Sequence, residues 1–160
     1  MTLIETLASV SPGSALAEAM GKRAEILRLS EAAHDAVLLP RDPGGLSHGL
    51  RAALASRMAR HNRSPALASH YDTLVARAGE AATALLAEPD TKVTDPRTAE
   101  IVRHADRLTL APRDATRAHV EALRQVGVTD ADIVRLAELA AFVNYQVRVL
   151  AGLKLLGEMR

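Results

Sequence analysis

From Asp130 to about Leu153 the chain offers almost no polar face to water. Ile133, Leu136, Leu139, Phe142, Val143, Val147 and Leu150 spread around nearly every side of a helix drawn through this stretch. A helix that is apolar all round is buried, in a core or in a subunit interface. The segment is therefore expected to form the centre of the fold. At 160 residues the chain is long enough to bury it in one domain with a real core.

The remainder also reads as helix. Only Tyr71, Phe142 and Tyr145 are aromatic, and alanine and leucine dominate. That disfavours strands and favours helices. Proline and glycine then divide the chain. Ser11-Pro12-Gly13-Ser14 precedes an apolar-periodic stretch, Leu16 to Leu39, and Pro40 to Gly45 is a loop. Ser47 caps a helix to about His61, with Leu50, Leu54 and Met58 on one face. Asn62-Arg63-Ser64-Pro65 breaks that helix and starts the next, which carries Leu67, Tyr71, Leu74, Val75 and Ala78 up to Gly79. A short helix follows over Glu80 to Ala87. Asp95-Pro96 starts another through about Leu108, and Pro112-Arg113-Asp114 opens one that Gly127 ends. Thr129 with Asp132 resembles a capping box.

Composition narrows the chemistry. There is no cysteine, which removes thiol catalysis, disulfides and thiolate metal sites. The formal net charge of +1 points to neither nucleic acid nor an anionic membrane. No apolar run looks long enough for a membrane span. The first residues lack the basic region of a signal peptide. A cytoplasmic location is the expectation.

Two stretches resemble one family, the carboxymuconolactone decarboxylase and alkylhydroperoxidase superfamily, and within it the peroxidase-related branch. Leu50 to Tyr71 is similar to the family's active-site helix pair, in which an upstream Glu precedes a Cys-x-x-Cys-x-x-x-His motif at the start of the next helix. Leu123-Arg-Gln-Val-Gly-Val-Thr-Asp-Ala-Asp-Ile133 is similar to the family's glycine turn, and Ala141-Phe-Val-Asn-Tyr-Gln-Val-Arg148 to its terminal helix. The resemblance covers about residues 20 to 157. It implies an all-α alkylhydroperoxidase-like (AhpD-like) helical bundle: a single domain over residues 1–160, with residues 1–19 as an N-terminal extension, forming a homo-oligomer.

The sequence departs from that pattern where the chemistry lies. His70 falls on the motif histidine, but the cysteine positions fall on Arg63 and Ala66, and the upstream acid falls near Arg51 or Ala52. Pro43 through Tyr71 contains no Asp or Glu at all. In the terminal helix Asn144 and Arg148 match, while Val147 replaces the second Asn. The peroxidase chemistry that the resemblance implies needs a thiolate, so this chain looks like a branch without the peroxidatic centre.

Each candidate residue has a functional and a structural reading. His70 is a general base or ligand contact, or a boundary histidine bonded to backbone or water; the absence of a neighbouring acid favours the second. Arg51, Arg57, Arg60 and Arg63, with His48, His61 and His70, form an anion-binding surface or a basic face paired with acids elsewhere. Arg63 additionally sits just before a helix N-terminus, where anions are favoured. Asn144 anchors a neighbouring loop or lines a pocket, with Arg148 as its companion or paired with an acid. Glu31-Ala-Ala-His34 has the spacing of a carboxylate-bridged di-iron ligand pair, but no second copy exists, so neither metal nor cofactor is expected. Glu100 and His104 read as a surface pair.

Two functions stay open. One is a binding or scaffolding subunit, with a cysteine-containing relative as a candidate partner. The other is a non-thiol acid/base enzyme, decarboxylase- or isomerase-like, with His70 catalytic and Arg63 or Arg148 holding a small anionic substrate. A ligand site is expected where the Ser64-Pro65 helix start meets the terminal helix, with His70, Arg63, Asn144 and Arg148 near it. A pocket enclosing His70 with an arginine would favour the enzyme; a filled apolar site would favour the scaffold.

Overall fold

A computed structural model describes residues 1–158. Those residues form helices and no strand: α1 (Leu3–Leu7), α2 (Ala15–Gly21), α3 (Ala24–Leu38), α4 (His48–His61), α5 (Pro65–Ala78), α6 (Ala81–Ala84), α7 (Pro96–Leu110), α8 (Arg117–Gln125) and α9 (Asp130–Glu158). Single 3₁₀ turns follow α6 at Leu85–Ala87 and α7 at Pro112–Asp114.

The caps account for several boundaries. Ser47 Oγ accepts from Leu50 N–H at 3.2 Å and so starts α4. The Asp95 carboxylate accepts from Thr98 N–H at 2.8 Å, and Pro96 takes the first position of α7. Gly79 ends α5 in the left-handed conformation that glycine adopts without penalty. Elsewhere the chain departs from its sequence signals. The Leu16–Leu39 stretch is two helices, because the chain turns after Lys22 and Arg23 leaves helical geometry. Ser64 makes no side-chain cap, and the turn into α5 relies instead on Pro65 and on left-handed Arg63. Pro112 opens only a 3₁₀ turn; α8 waits until Arg117, after Thr116 N–H has bonded His119 Nδ1 at 3.1 Å.

The larger departure concerns the centre. It is α4, which packs against α3, α5, α6, α7 and α9 and has Gly49 through Ala59 all buried. Alanines 52, 53, 55 and 59 let neighbouring helices approach it closely, while Leu54 and Met58 fill the remaining space. At its N-terminus the Glu80 carboxylate lies over Gly49, accepting its N–H at 3.0 Å; any Cβ there would stand about 2.5 Å from Glu80. By contrast α9 lies across the bundle with one side inside. Leu136, Leu139, Val143 and Leu150 are core, whereas Val134, Tyr145, Leu155 and Leu156 are exposed. The expectation that this helix is the buried centre is thus half right. Its length and mean hydropathy also meet the requirement for a bilayer span, so one apolar run is longer than the sequence reading allowed. Its inner face, however, buries Asp132, Asn144 and Gln146, each with partners in the bundle. The N-terminal segment packs on the bundle, with Ile4, Ala8 and Val10 in the core.

Candidate functional site

One face of α3 carries Ser30, Glu31, His34 and Asp35, the i, i+1, i+4, i+5 set of adjacent turns. Helix α5 presents His70 to that face, held between buried Leu67 and Leu74. Helix α9 supplies Gln146, and α1 lays Leu3 and Ile4 over the top. Together they enclose a cavity of about 230 Å³.

The two histidines meet at its wall. His34 Nε2 and His70 Nε2 are 3.0 Å apart, and His34 Nδ1 is 3.0 Å from Asp35 Oδ1. An ionised carboxylate only accepts, so His34 carries its proton on Nδ1 and offers the Nε2 lone pair, and His70 Nε2–H donates to it. His34 is buried, stacked nearly parallel to Tyr71 and edge-on to Phe142. His70 is half-buried. Its burial, and secondarily the neighbouring His34, push its pKa from 6.5 down to about 4. Behind them Tyr71 donates its hydroxyl proton to Gln146 Oε1, and burial raises the Tyr71 pKa. Ser30 and Tyr145 hydroxyls are bonded at 2.8 Å, and Glu31 Oε1 accepts the Leu3 N–H at 2.5 Å, which ties α1 over the cavity.

The other sequence candidates lie elsewhere. Exposed Arg63 lines an open groove with Arg60, Ser64 and Asp72. Asn144 and Arg148 line a third groove with Leu108 and Pro112. His70, Arg63 and the Asn144–Arg148 pair thus occupy separate concavities. Asn144 has the anchoring role: its Oδ1 accepts from Asn62 Nδ2 at 3.0 Å, fixing the α4–α5 corner, and its Nδ2 donates to Ala140 O at 2.8 Å. Arg148 Nη1 donates to the Asn144 carbonyl at 2.9 Å.

The arginine-rich segment is paired internally. Arg57 bonds both oxygens of Asp106, at 2.7 and 2.8 Å, and donates to the Glu88 and Pro89 carbonyls. Arg60 pairs with Asp72 and Glu88, and His61 Nε2 lies 3.0 Å from Asp106. Arg51, near where the resemblance places an acid, is buried and donates to the carbonyls of Leu46, Val37 and Pro43, clamping the loop before α4. Desolvation lowers its pKa. Glu100 and His104 are buried rather than a surface pair, and Glu100 bonds Arg103 instead.

Two solved structures share this architecture. One is an uncharacterized peroxidase-related protein from Silicibacter sp. TM1040, with TM-score 0.71 and 23% identity over 81% of this chain and 68% of that one. The other is the alkylhydroperoxidase AhpD core of a peroxidase-related protein from Ralstonia eutropha JMP134, with TM-score 0.71 and 23% identity over 84% and 71%. The fold is AhpD-like. No protein-family model and no curated protein matches the sequence. The chain contains no cysteine, and its histidine pair, His34 and His70, stands at the wall of the cavity between α1, α3, α5 and α9. Sequence reasoning missed His34 as a partner of His70, together with Asp35 and Gln146. The visible signal was the Glu31-x-x-His34 spacing.

Proposed function

We propose that this chain is a thiol-free member of the AhpD-like superfamily that binds a small neutral or cationic molecule in the cavity between α1, α3, α5 and α9. The His34–His70 contact at 3.0 Å on the wall of that cavity carries the reading. The lining has two imidazoles, two carboxylates, a hydroxyl and an amide, and no lysine or arginine. Such a wall suits a hydrogen-bonding neutral or positive ligand and disfavours the anion suggested by Arg63 and Arg148. It is also neither the arginine-containing pocket of the acid/base enzyme nor the filled apolar site of a pure scaffold.

Acid/base chemistry is the second reading. The Asp35–His34–His70 line can relay a proton to the cavity. A base as weak as His70 would need a substrate that acidifies on binding. A cytoplasmic setting and self-association complete the proposal. Val134, Tyr145, Leu155 and Leu156 on α9 expose apolar surface of the kind that a second copy, or a cysteine-containing relative, would cover.

Thermal melting tests the site. Small heterocycles and amines are expected to raise the melting temperature; at one hundred times the dissociation constant the gain is about 2.7 kcal/mol. His70→Ala should remove the shift. If carboxylates alone stabilise the chain, and Arg63→Ala abolishes that effect, the site belongs to the start of α5 instead. Hydroperoxide turnover driven by dithiols should be absent, since the chain contains no cysteine.

A further inference from the structure

We infer that His34, His70 and Glu31 form a mononuclear binding site for a divalent transition-metal ion of the zinc type. The inference rests on the reading of the α1–α3–α5–α9 cavity as a ligand site, and it names the ligand class.

Two imidazole nitrogens from different helices face each other at 3.0 Å across the cavity wall. Two ring nitrogens bound to one metal at about 2.0–2.1 Å and a tetrahedral angle stand roughly 3.3 Å apart. The separation has to widen by only about 0.3 Å, but the metal would lie off the line joining the two nitrogens, so each ring must also turn about its side-chain torsions to aim its lone pair at the ion. His34 already has the tautomer of a ligand. Its Nδ1–H faces the Asp35 carboxylate at 3.0 Å, which leaves the Nε2 lone pair free. A carboxylate behind the ligating ring is the usual support of metal-bound histidine. His70 joins by carrying its proton on Nδ1 instead of Nε2, so no net proton is lost.

The third ligand is Glu31, one turn before His34 and lining the same cavity. Among the described residues no three His, Cys, Asp or Glu side chains already converge on one point. Glu31 must therefore leave the Leu3 N–H, 2.5 Å away, and turn inward, with water completing the coordination. Metal binding would then loosen α1 from α3. The Glu-x-x-His spacing in α3 lacks a second copy in the sequence because the remaining nitrogen comes from α5, and one metal needs only one copy. Imidazole donors select zinc, nickel, cobalt or copper over magnesium and calcium, which prefer all-oxygen sites.

The test uses the full chain without a polyhistidine tag, stripped with chelator. Co²⁺ titration should give a visible ligand-field band saturating at one ion per chain and displaced by Zn²⁺. His34→Ala and His70→Ala should each abolish the band; Asp35→Asn should weaken binding about 10–100-fold. Glu31→Gln should weaken it by a similar factor, and Zn²⁺ should speed amide exchange in residues 3–7 of the parent chain. Circular dichroism checks that each variant folds; where His34→Ala does not, His34→Gln and the His70 variants decide. A band that survives both histidine substitutions, or no band up to millimolar Co²⁺, overturns the metal site. If metals fail while heterocycles or amines still shift melting in a His70-dependent way, the cavity reading stands and only the metal falls. If both fail, both are wrong.

Discussion

Helices α4 and α9 invert what their sequences advertise. Helix α4 carries three arginines and two histidines and no acid, yet its middle is buried on every side, Arg51 and Arg57 being 2% and 5% exposed. Helix α9 is apolar almost all round, yet it leaves Val134 at 57% and Tyr145 at 39% exposure. Apolarity states what a helix can bury; neighbours decide what it does bury. The arginines of α4 are acceptable inside because other elements bring acceptors to them: Asp106 from α7, and carbonyls from the 3₁₀ turn and loop before it. Helix α9 meets α1, α2, α3, α4, α7 and α8, but all on one side.

The largest effect should come from removing a matched charge in α4. Arg57→Ala removes both arginine bonds from Asp106, leaving it His61 alone, and takes the donor from the Leu86, Glu88 and Pro89 carbonyls. Breaking a buried pair in this way costs about 3–5 kcal/mol. Urea unfolding of the variant reads it directly. A loss below about 1 kcal/mol would mean that α4 is not held by its ion pairs. Next comes the contrast between the two sides of α9. Leu136 is fully buried and Val134 is not. Leu136→Ala should cost about 2–5 kcal/mol, and Val134→Ala no more than about 0.5 kcal/mol. Equal costs would break the comparison.

Much of the fold was legible because its signals are local. Ser47 and Asp95-Pro96 mark helix starts through bonds made within a turn, Gly79 marks a helix end by its left-handed backbone, and all three stand where the sequence puts them. The all-α class follows from the dominance of alanine and leucine and the scarcity of aromatic residues. The centre was less legible, since no pattern in α4 reveals that Asp106 and Asp72 meet its arginines across gaps of 49 and 12 residues. The site was split in the same way. His70 was visible as a motif residue and Glu31-x-x-His34 as a spacing, but their union depends on α3 crossing α5. Asn144 shows the converse: the anchoring role assigned to it needs only that a buried amide find partners, and Asn62 provides one.

The exposed side of α9 gives a smaller energetic effect and a clear physical one. Val134→Asp with Leu155→Asp places charge on surface that is already wet in one chain, so unfolding free energy should change by about 0.5 kcal/mol or less per site. Sedimentation should nevertheless show the parent chain as an assembly and the double variant as a smaller species. A parent chain that is monomeric across micromolar concentrations removes self-association from the proposal. A double variant that unfolds instead of dissociating would place this face in the core.

Protonation extends the comparison to α5 with the smallest expected effect. Of the buried arginines of α4, Arg57 faces the Asp106 carboxylate and Arg51 three backbone carbonyls. His70 is half-buried against another imidazole, so burial and His34 both oppose its charged form, and its pKa falls from 6.5 to about 4. Between those values the unfolded chain holds a proton on this residue that the folded chain does not. Stability then rises with pH across the window. The contribution of His70 is complete above about 6.5, is lost progressively as the pH falls toward 4, and is gone below that. His104, also lowered mainly by burial, acts with the same sign, so the bare slope does not isolate His70. The measurement is therefore a difference, made on chelator-treated chain. Urea midpoints at pH 7, 5.5 and 4.5 for the parent and for His70→Asn should converge as the pH falls, the variant losing less of its stability on acidification. The ring-proton shift of His70 should titrate near 4. A titration near 6.5, or parallel slopes in parent and variant, would mean that solvent reaches His70 freely and that the wall it shares with His34 does not close around it.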